Sequence, residues 1–421
     1  MKKIWAWHSW LGLYSGLVII ILSITGSLAI FKNEIDQTLN PALYQVKSTA
    51  VDQLPQAQIQ AIVQRFENVT NYAVNISRDP KRSWLLSLYQ KNEHTGQKDC
   101  TEIFIDPYSG KVLGQRDRYK TFSYTLRTLH IRLFNQWYGR QLVGLAGICL
   151  LISTILGVII YSPFMKKQKF GQFKRKKKRY NDWHKYLGII ALFFNFMMAV
   201  TGAYLGFQPW IKQHIYRPPS PQKSIIANAK VSLQDERKIP INYADVSAKA
   251  FGIFTSADQL RIQYAKAGNG NIEVAVNMEG ACYDPFCNWL LLDKADLKVL
   301  DKFDVKTATA AAKWYYLPEG LHFGQFGGVL LKVIYSIFGL ITGFLSISGY
   351  IIYLKRAKKK RLKKGKKIVW GTFIGLLMIL TLLFFISQKI AVSRLLLWSS
   401  PMGWAALIIM ILLVYRQNSR K

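Results

Sequence analysis

Residues 7–12 read WHSWLG, residues 183–188 read WHKYLG, and a long apolar stretch follows each of them. A shift of 176 positions (184 − 8) aligns seven identical residues in and after these two stretches. The seven pairs are Trp7/Trp183, His8/His184, Leu11/Leu187, Gly12/Gly188, Thr25/Thr201, Gly26/Gly202 and Phe31/Phe207. A second shift of 192 positions (322 − 130) aligns Leu129/Leu321, His130/His322, Phe134/Phe326, Gly147/Gly339, Gly157/Gly349 and Tyr161/Tyr353. The chain therefore repeats one unit, made of an apolar span, a polar segment and a second span.

Six apolar blocks are each about 20 residues long, the length at which an α-helix crosses roughly 30 Å of hydrocarbon. They are Trp10–Phe31, Leu142–Phe164, Tyr186–Phe207, Gly328–Leu354, Ile368–Ile386 and Leu395–Tyr415. The sequence thus predicts an α-helical integral membrane protein with about six transmembrane helices. We expect the first block to remain as an anchor, because its apolar part is longer than that of a signal peptide and no A-x-A cleavage site follows it.

The formal net charge is +34, and one third of the basic residues lie in two short runs that contain no acidic residue. Lys166–Arg179 carries nine Lys and Arg, and Lys355–Lys367 carries ten, out of 57 in the chain. Short basic loops between spans face the cytoplasm and attract anionic lipid. We therefore predict cytoplasmic N- and C-termini, with segments 32–141 and 208–327 on the outer side. Nucleic-acid binding explains this distribution of charge less well than the membrane does.

The two outer segments show the same order of patterns. Residues 56–66 (QAQIQAIVQRF) and 243–254 (YADVSAKAFGIF) have helical spacing. Runs typical of strands follow each: 72–79 (YAVNISRD), 83–90 (SWLLSLYQ) and 101–114 (TEIFIDPYSGKVLG, two strands) in the first segment, and 259–265 (QLRIQYA), 271–277 (NIEVAVN) and 288–293 (NWLLLD) in the second. In the first segment we predict that a turn at 106–110 joins the last two strands. Each segment is expected to form one small α+β domain. The predicted divisions are 1–32 (first span), 33–128 (outer domain), 129–164 (second span), 165–182 (basic loop), 183–208 (third span), 209–320 (outer domain), 321–354 (fourth span), 355–367 (basic loop), 368–387 (fifth span) and 395–415 (sixth span).

Each repeat carries one histidine before its first span and one before its second. In the predicted topology His8 and His184 (the inner pair) lie at the cytoplasmic edge, and His130 and His322 (the outer pair) lie at the outer edge. A single histidine there is usually an interfacial residue, but ionisable groups near the apolar region are costly and often functional. Zinc sites need three or four protein ligands, whereas haem iron needs only two axial ligands. The two pairs therefore fit two non-covalent b-type haems, since the chain has no C-x-x-C-H motif.

Glycines follow the histidines at helical spacing. Gly12 and Gly16 come one and two turns after His8 on nearly the same face, and Gly188 repeats Gly12 in the second unit. These positions leave room for a flat macrocycle, although close helix packing through G-x-x-x-G explains the same pattern. Gly26 lies five turns beyond His8, at the level predicted for the outer pair.

The remaining histidines and cysteines carry weaker signals. His94 is expected to be a solvated turn residue, and His214 is an alternative outer ligand. Cys282 and Cys287 lie five positions apart, so a local disulfide and two free thiols both remain open. A C-x₄-C pair without further partners is a poor zinc signature.

The motifs resemble the family of PepSY-associated transmembrane proteins over about residues 4–356. The resemblance rests on WHSWLGLYSGLVIIILSITGSLAIFKNEID (7–36), FIDPYSGKVLG (104–114), LHIRLF (129–134), WHKYLG (183–188) and VTGAYLGF (200–207). That family includes iron-regulated inner-membrane proteins and ferrisiderophore reductases of Gram-negative bacteria, which are di-haem b proteins with two periplasmic PepSY-like domains. The resemblance implies that His8, His130, His184 and His322 match the haem-ligand positions.

The resemblance also implies a function and leaves alternatives. Some relatives carry a cytoplasmic reductase domain, where this chain has two further spans, so the electron donor must be another molecule, such as quinol or a reduced cytosolic flavin. We expect an oxidoreductase of the bacterial inner membrane that reduces ferric iron, held by a siderophore or a periplasmic iron-binding partner. Nearby docking candidates are Arg132, Arg140, Trp314 and Tyr315. The alternatives are a quinone-linked cytochrome b subunit and a haem-free membrane protein whose PepSY domains bind or regulate a partner.

Overall fold

The computed structural model describes residues 2–47, 56–66, 69–91, 98–165, 179–220, 241–264, 271–356 and Gly371. The chain divides into two compact units, which we call the membrane unit and the sheet unit. The membrane unit takes in Met1–Ala29, Leu126–Gln208 and Ile334–Lys421. The sheet unit takes in Ile30–Thr125 and Pro209–Val333.

Most of the apolar sequence is helical. The α-helices of the described ranges are α1 (Lys2–Ala29), α2 (Lys32–Leu39), α3 (Pro41–Tyr44), α4 (Gln56–Gln64), α5 (Phe122–Arg132), α6 (Gln136–Met165), α7 (Arg179–Ile190), α8 (Leu192–His214), α9 (Tyr243–Ile253), α10 (Ala310–Phe323) and α11 (Gly328–Arg356). Within these ranges three helices, α1, α6 and α11, are long and apolar enough to cross a membrane. The helices α7 and α8 make a fourth span if they are counted together.

The third predicted span differs from a single straight helix. The chain bends by 67° between α7 and α8, at the fully buried Ala191. Hydrogen bonds continue on both sides of the bend, from Ala191 N to Leu187 O and from Asn195 N to Ala191 O. The sixth predicted span, all of the fifth except Gly371, and most of both basic runs lie outside the described residues.

Small residues bring the helices of the membrane unit close together. A Cβ at Gly147 of α6 would lie 2.7 Å from the backbone N of Ala203 in α8. A Cβ at Gly339 of α11 would lie 2.5 Å from the Oγ of Ser27 in α1, and Ser27 also donates a hydrogen bond to Ser336 O at 3.0 Å. Without a hydrophobic driving force between helices in lipid, such close packing is what holds spans together.

Two further contacts close the helices into a ring. Leu17 and Val18 of α1 pack against Ala146 of α6. Thr342 of α11 donates a buried hydrogen bond of 2.5 Å to the Oδ1 of Asn195 in α8. The membrane unit is therefore a ring in which α1, α6, α8 and α11 each contact two neighbours.

All the strands of the described residues belong to one antiparallel sheet. They are β1 (Val69–Ser77), β2 (Trp84–Lys91), β3 (Lys98–Ile105), β4 (Val112–Asp117), β5 (Ala257–Tyr264), β6 (Ile272–Met278), β7 (Asn288–Leu292) and β8 (Val299–Phe303), in the order β4-β3-β2-β1-β5-β6-β7-β8. The predicted helices and strands of both segments are confirmed, and β8 is an additional strand. Gly110, at a φ of 72°, closes the predicted turn after Asp106.

The two outer segments join where we predicted separate domains. Strands β1 and β5 are the first strands of the two outer segments. They pair antiparallel, with Asn75 opposite Arg261. The helices α4 and α9 cover one face of the joined sheet and share a single apolar core that includes Ile59 and Val246. Pairing β1 with β5 removes two exposed strand edges, whose unpaired backbone groups would otherwise invite aggregation.

Candidate functional site

The inner pair is brought together at one end of the membrane unit. The ring centres of His8 on α1 and His184 on α7 are 6.4 Å apart, and the ring planes are inclined by 78°. Two imidazoles bound to one metal through bonds of about 2.0–2.1 Å have ring centres roughly 6 Å apart. The spacing of this pair is therefore suited to a shared metal atom.

Hydrogen bonding decides which nitrogen of His8 is available as a ligand. The Nδ1 of His8 lies 3.1 Å from the backbone carbonyl oxygen of Ser153 on α6. A carbonyl oxygen can only accept, so Nδ1 carries the proton and donates it. The lone pair of neutral His8 is consequently on Nε2.

His184 also carries its proton on Nδ1, but the acceptor of that proton is a side chain. Its Nδ1 lies 2.8 Å from the Oγ of Ser348, and that hydroxyl donates its own proton to Leu345 O at 3.0 Å. Since a hydroxyl has one proton, Ser348 must accept from His184 Nδ1. Leu345 is equivalent to Ser153 under the 192-residue shift (345 − 153). The carbonyl that accepts from Ser348 and the carbonyl that accepts from His8 are therefore at equivalent positions in the two repeats.

Two aligned glycines lie against the two rings. A Cβ at Gly157 would be 3.7 Å from Cε1 of His8, and a Cβ at Gly349 would be 3.7 Å from Cε1 of His184. The contact distances match although the helices are different, because Gly157 and Gly349 are equivalent in the repeat. The inner site thus has an approximate internal symmetry that includes the residues supporting each ring.

His130 has similar support within the membrane unit. Its Nδ1 lies 3.1 Å from the Oγ1 of Thr25, whose proton goes to Ile21 O at 2.7 Å. Thr25 therefore accepts from His130 Nδ1, which again leaves the lone pair on Nε2. A Cβ at Gly26 would lie 2.8 Å from His130 Cε1, which confirms that Gly26 and His130 are at the same level.

The other histidines are placed differently. His322 lies on α10 in the sheet unit, where its ring packs on Phe323 with centres 5.7 Å apart. Because His130 belongs to the membrane unit, the pairing of His130 with His322 stays a prediction. His214 is exposed, and its Nδ1 lies 3.0 Å from Trp210 O in the same helix. His94 lies outside the described residues.

The predicted glycines have different surroundings. Nothing lies within 4 Å of a Cβ built at Gly12, and a Cβ at Gly188 would only touch Leu345 at 3.9 Å. A Cβ at Gly16 would be 3.0 Å from the ring of Tyr350, whose hydroxyl donates to Leu13 O at 2.6 Å. The lack of a side chain at Gly16 therefore makes room for the Tyr350 ring of α11, whereas Gly12 borders open space.

The four residues predicted to dock the ferric substrate are divided between the two units. Arg132 and Arg140 belong to the membrane unit, and Trp314 and Tyr315 belong to the sheet unit. Arg140 donates two hydrogen bonds to Leu205 O, at 3.0 and 2.8 Å, which ties α6 to α8. Trp314 is 70% exposed, whereas Tyr315 is buried.

The cysteines of the described residues are free thiols. Cys282 and Cys287 form no disulfide, although the sequence left that possibility open. Burial raises the pKa of Cys287 to about 12, so this thiol stays protonated at neutral pH.

The sequence identified the candidate histidine ligands but not the residues that accept hydrogen bonds from their rings or lie against them. These are Thr25, Ser153, Gly157, Ser348 and Gly349. The repeat contained part of this information, because Thr25 aligns with Thr201 and Gly157 with Gly349. Ser153 and Ser348 are not equivalent to each other, so alignment of the repeats does not reveal them.

The fold and the paired histidines define a multi-span membrane protein built from two repeats, with a single sheet formed by both polar segments. The chain matches the family described as the PepSY-associated TM region over residues 5–356, and it belongs to that family. No curated protein matches the chain.

Proposed function

We propose that the chain is a di-haem b electron-transfer protein of the inner membrane that reduces ferric iron, held by a siderophore, in the periplasm. The observation that carries this proposal is the inner pair, with its 6.4 Å spacing and its two available Nε2 atoms. A haem held by His8 and His184 would supply one-electron transfer.

The residues around the inner pair suit a haem better than a bare metal ion. Among the described residues no group of three or more His, Cys, Asp and Glu side chains could hold a metal. Two histidines fall short of the ligand set of a zinc site but are enough where a macrocycle supplies the other ligands. The open space beside Gly12 supports the same assignment.

The chain's own part in the reaction is to hold each imidazole in one tautomer and one orientation. The carbonyl of Ser153 and the hydroxyl of Ser348 accept the Nδ1 protons of His8 and His184. Such outer hydrogen bonds make the opposite nitrogen a better ligand and prevent the ring from turning. Thr25 would do the same for His130 at the outer site.

The proposed direction of transfer rests on the basic runs. Positive loops on the cytoplasmic side would place the inner pair next to a reduced cytosolic flavin or a quinol. Each electron that leaves on the outer side converts one Fe³⁺ to Fe²⁺. The hard oxygen donors of a siderophore hold Fe²⁺ much less tightly than Fe³⁺, so reduction releases the iron.

Haem content tests the proposal directly. Pyridine-haemochrome analysis of the purified full-length protein should give close to two b-type haems per chain. His8→Ala and His184→Ala should each remove the same haem, since both ligands belong to one site. His214→Ala serves as the control and should keep both haems.

A haem content near zero in the wild-type protein would leave the haem-free binding protein as the better reading. A different result, in which His8→Ala and His184→Ala remove spectroscopically distinct haems, would contradict the inner pairing while preserving the redox assignment.

A further inference from the structure

Two cations lie at the end of the membrane unit that contains the inner pair. Lys355 and Arg356 are the last two residues of α11. They come seven positions after Ser348 and Gly349, the two residues of α11 that lie beside the His184 ring. Seven residues make nearly two full turns. Each cation therefore projects from the same face of α11 as the residue seven positions before it, about 10 Å further along the axis.

Each cation packs on an aromatic ring of a different helix. The Nζ of Lys355 lies 4.3 Å from the ring centre of Tyr180 on α7. The Cζ of Arg356 lies 5.0 Å from the ring centre of Trp5 on α1. Such cation–π contacts hold a positive charge in place without neutralising it. The end of α11 is thus joined to both helices that carry the inner pair.

The two aromatic rings lie one turn before the two histidines. Tyr180 is four positions before His184, and Trp5 is three positions before His8. Residues three or four positions apart are neighbours on one face of a helix. Each cation is therefore held by a ring that is one turn from an imidazole, toward the ends at which α1 and α7 begin.

Carboxylates are scarce around these two cations. Asp182 is the only acidic side chain among the described residues of the membrane unit, and no ion pair within 4 Å joins it to Lys355 or Arg356. Both cations are exposed. Within the described part of this unit their charges are not neutralised, so they are available to an anionic ligand.

A b-type haem carries two such anionic groups, the carboxylates of its two propionate side chains. A carboxylate is costly in the apolar part of a bilayer unless it is paired or reaches the polar edge. His8 is six residues after the first residue of α1, and His184 is five residues after the first residue of α7. The nearest polar edge for a haem between them is consequently where α1 and α7 begin and α11 ends. The two cations lie at that edge, one for each carboxylate.

We propose that Lys355 and Arg356 bind the two propionate carboxylates of the inner haem. This inference rests on the proposed function, for which it names two further cofactor-binding residues. Ammonium and guanidinium groups bind carboxylates through charge-assisted hydrogen bonds. Two separate cations also favour one orientation of the macrocycle in its plane, since only one edge of the macrocycle carries the carboxylates.

Esterified haem tests this pairing without any electron transfer. The full-length protein is produced without haem and titrated with iron protoporphyrin IX or with its dimethyl ester, whose propionates carry no charge. The inner site is the binding phase that His8→Ala abolishes. Lys355→Gln and Arg356→Gln should each weaken binding of the acid form at this site about two- to fivefold, the range for an exposed ion pair. Binding of the ester should be unchanged in both variants.

Two further variants serve as controls. Lys3→Gln removes an exposed cation two positions before Trp5, which is on nearly the opposite face of α1, and should bind both forms of haem like the wild type. Arg356→Lys keeps the charge and should retain most of the affinity for the acid form.

The reduction potential provides a second readout. Ferrous haem carries one positive charge fewer than ferric haem, so a nearby cation favours the reduced form. Lys355→Gln and Arg356→Gln should therefore lower the potential of the inner haem in a spectroscopic redox titration, and Lys3→Gln should not.

Three results would overturn the inference. These are wild-type affinity of both Gln variants for the acid form, equal weakening of the acid and ester forms, and equal weakening by Lys3→Gln. If the Gln variants bind haem like the wild type but bind anionic lipid vesicles less well, the two cations serve the membrane surface and their assignment to haem is wrong.

Failure of this assignment can be told apart from failure of the proposed function. Wild-type protein that binds neither form of haem has no redox function, and the assignment is lost with it. Protein that binds two haems with an affinity independent of Lys355 and Arg356 keeps the redox function and loses only the assignment.

Discussion

The two imidazoles of the inner pair are held by different kinds of acceptor. His8 donates to a backbone carbonyl, whereas His184 donates to the Ser348 side chain. This difference makes Ser153 and Ser348 a matched pair of serines. Removing the hydroxyl of Ser348 takes away the 2.8 Å hydrogen bond and leaves only the Leu345 carbonyl beside the ring. Removing the hydroxyl of Ser153 leaves its carbonyl, the acceptor of His8, in place.

We therefore expect Ser348→Ala to weaken haem binding at the inner site by about 10–100-fold and to raise its reduction potential, because the imidazole becomes a poorer donor. Ser153→Ala should leave both properties unchanged. Haem titration and a spectroscopic redox titration measure the two quantities. Equal effects of the two substitutions would show that the hydrogen bond to Ser348 has no special role.

Gly26 gives a second residue-scale prediction. A Cβ at this position would lie 2.8 Å from His130 Cε1, closer than real contacts allow, so Gly26→Ala should displace His130. The expected result is loss of the outer haem with the inner haem retained, measured by haemochrome and by the redox titration. Gly252→Ala, in a helix of the sheet unit with open space around it, should keep both haems. Retention of both haems in Gly26→Ala would argue against His130 as a ligand.

At the scale of elements, one buried ionic cluster fastens α2 and α3 to the edge of the sheet. Asp36 of α2 accepts hydrogen bonds from Tyr44 of α3 and from Arg116 of β4. Burial alone would raise the pKa of Asp36, but the hydrogen bonds from Arg116, Tyr44 and Asn40 and the charge of Arg116 outweigh it and lower the pKa. The cluster thus stabilises the folded state only while Asp36 is ionised.

The sign of the pH dependence follows from this lowered pKa. The stabilisation is complete above the unfolded-state pKa of about 4 and is lost as the pH falls through the lower folded-state pKa. Asp36→Asn should cost about 3 kcal/mol at pH 7 and should flatten the decline in stability below pH 4. Asp79→Asn removes an exposed ion pair with Arg82 and should cost less than about 1 kcal/mol. Denaturant unfolding at pH 3–7, followed by the β-sheet circular dichroism signal, checks both. An unchanged pH profile in Asp36→Asn would contradict this account.

At the scale of the whole molecule, the proposal requires electrons to cross the bilayer in one direction. In sealed inverted vesicles, a reductant added at the cytoplasmic face should reduce chelated Fe³⁺ trapped in the lumen, detected by a lumenal Fe²⁺ indicator. His322→Ala should abolish this signal while the inner haem remains reducible, since the outer pair is the proposed exit. His214→Ala is the control and should behave like the wild type. Protein that ignores every ferric chelate but exchanges electrons readily with quinone would instead be a quinone-linked cytochrome.

Part of the fold and the candidate ligands follow from pattern in the sequence. Helical and alternating periodicity predicted the four described spans, the helices α4 and α9 and seven of the eight strands. The repeat singled out His8, His130, His184 and His322, because a duplicated unit preserves its residues at constant spacing. Periodicity is a property of neighbouring residues, and a repeat is found by comparing the sequence with itself, so neither requires knowledge of the tertiary structure.

Which distant groups meet depends on tertiary packing. The bend at Ala191, the pairing of β1 with β5 and the Tyr350 ring beside Gly16 all depend on how whole elements pack. Hydrogen-bond acceptors such as Ser348 become significant only when a second helix brings a histidine to them. The physical reason is that a contact between residues far apart in the chain is selected by register and side-chain packing across the whole unit, and no local stretch of sequence contains that information.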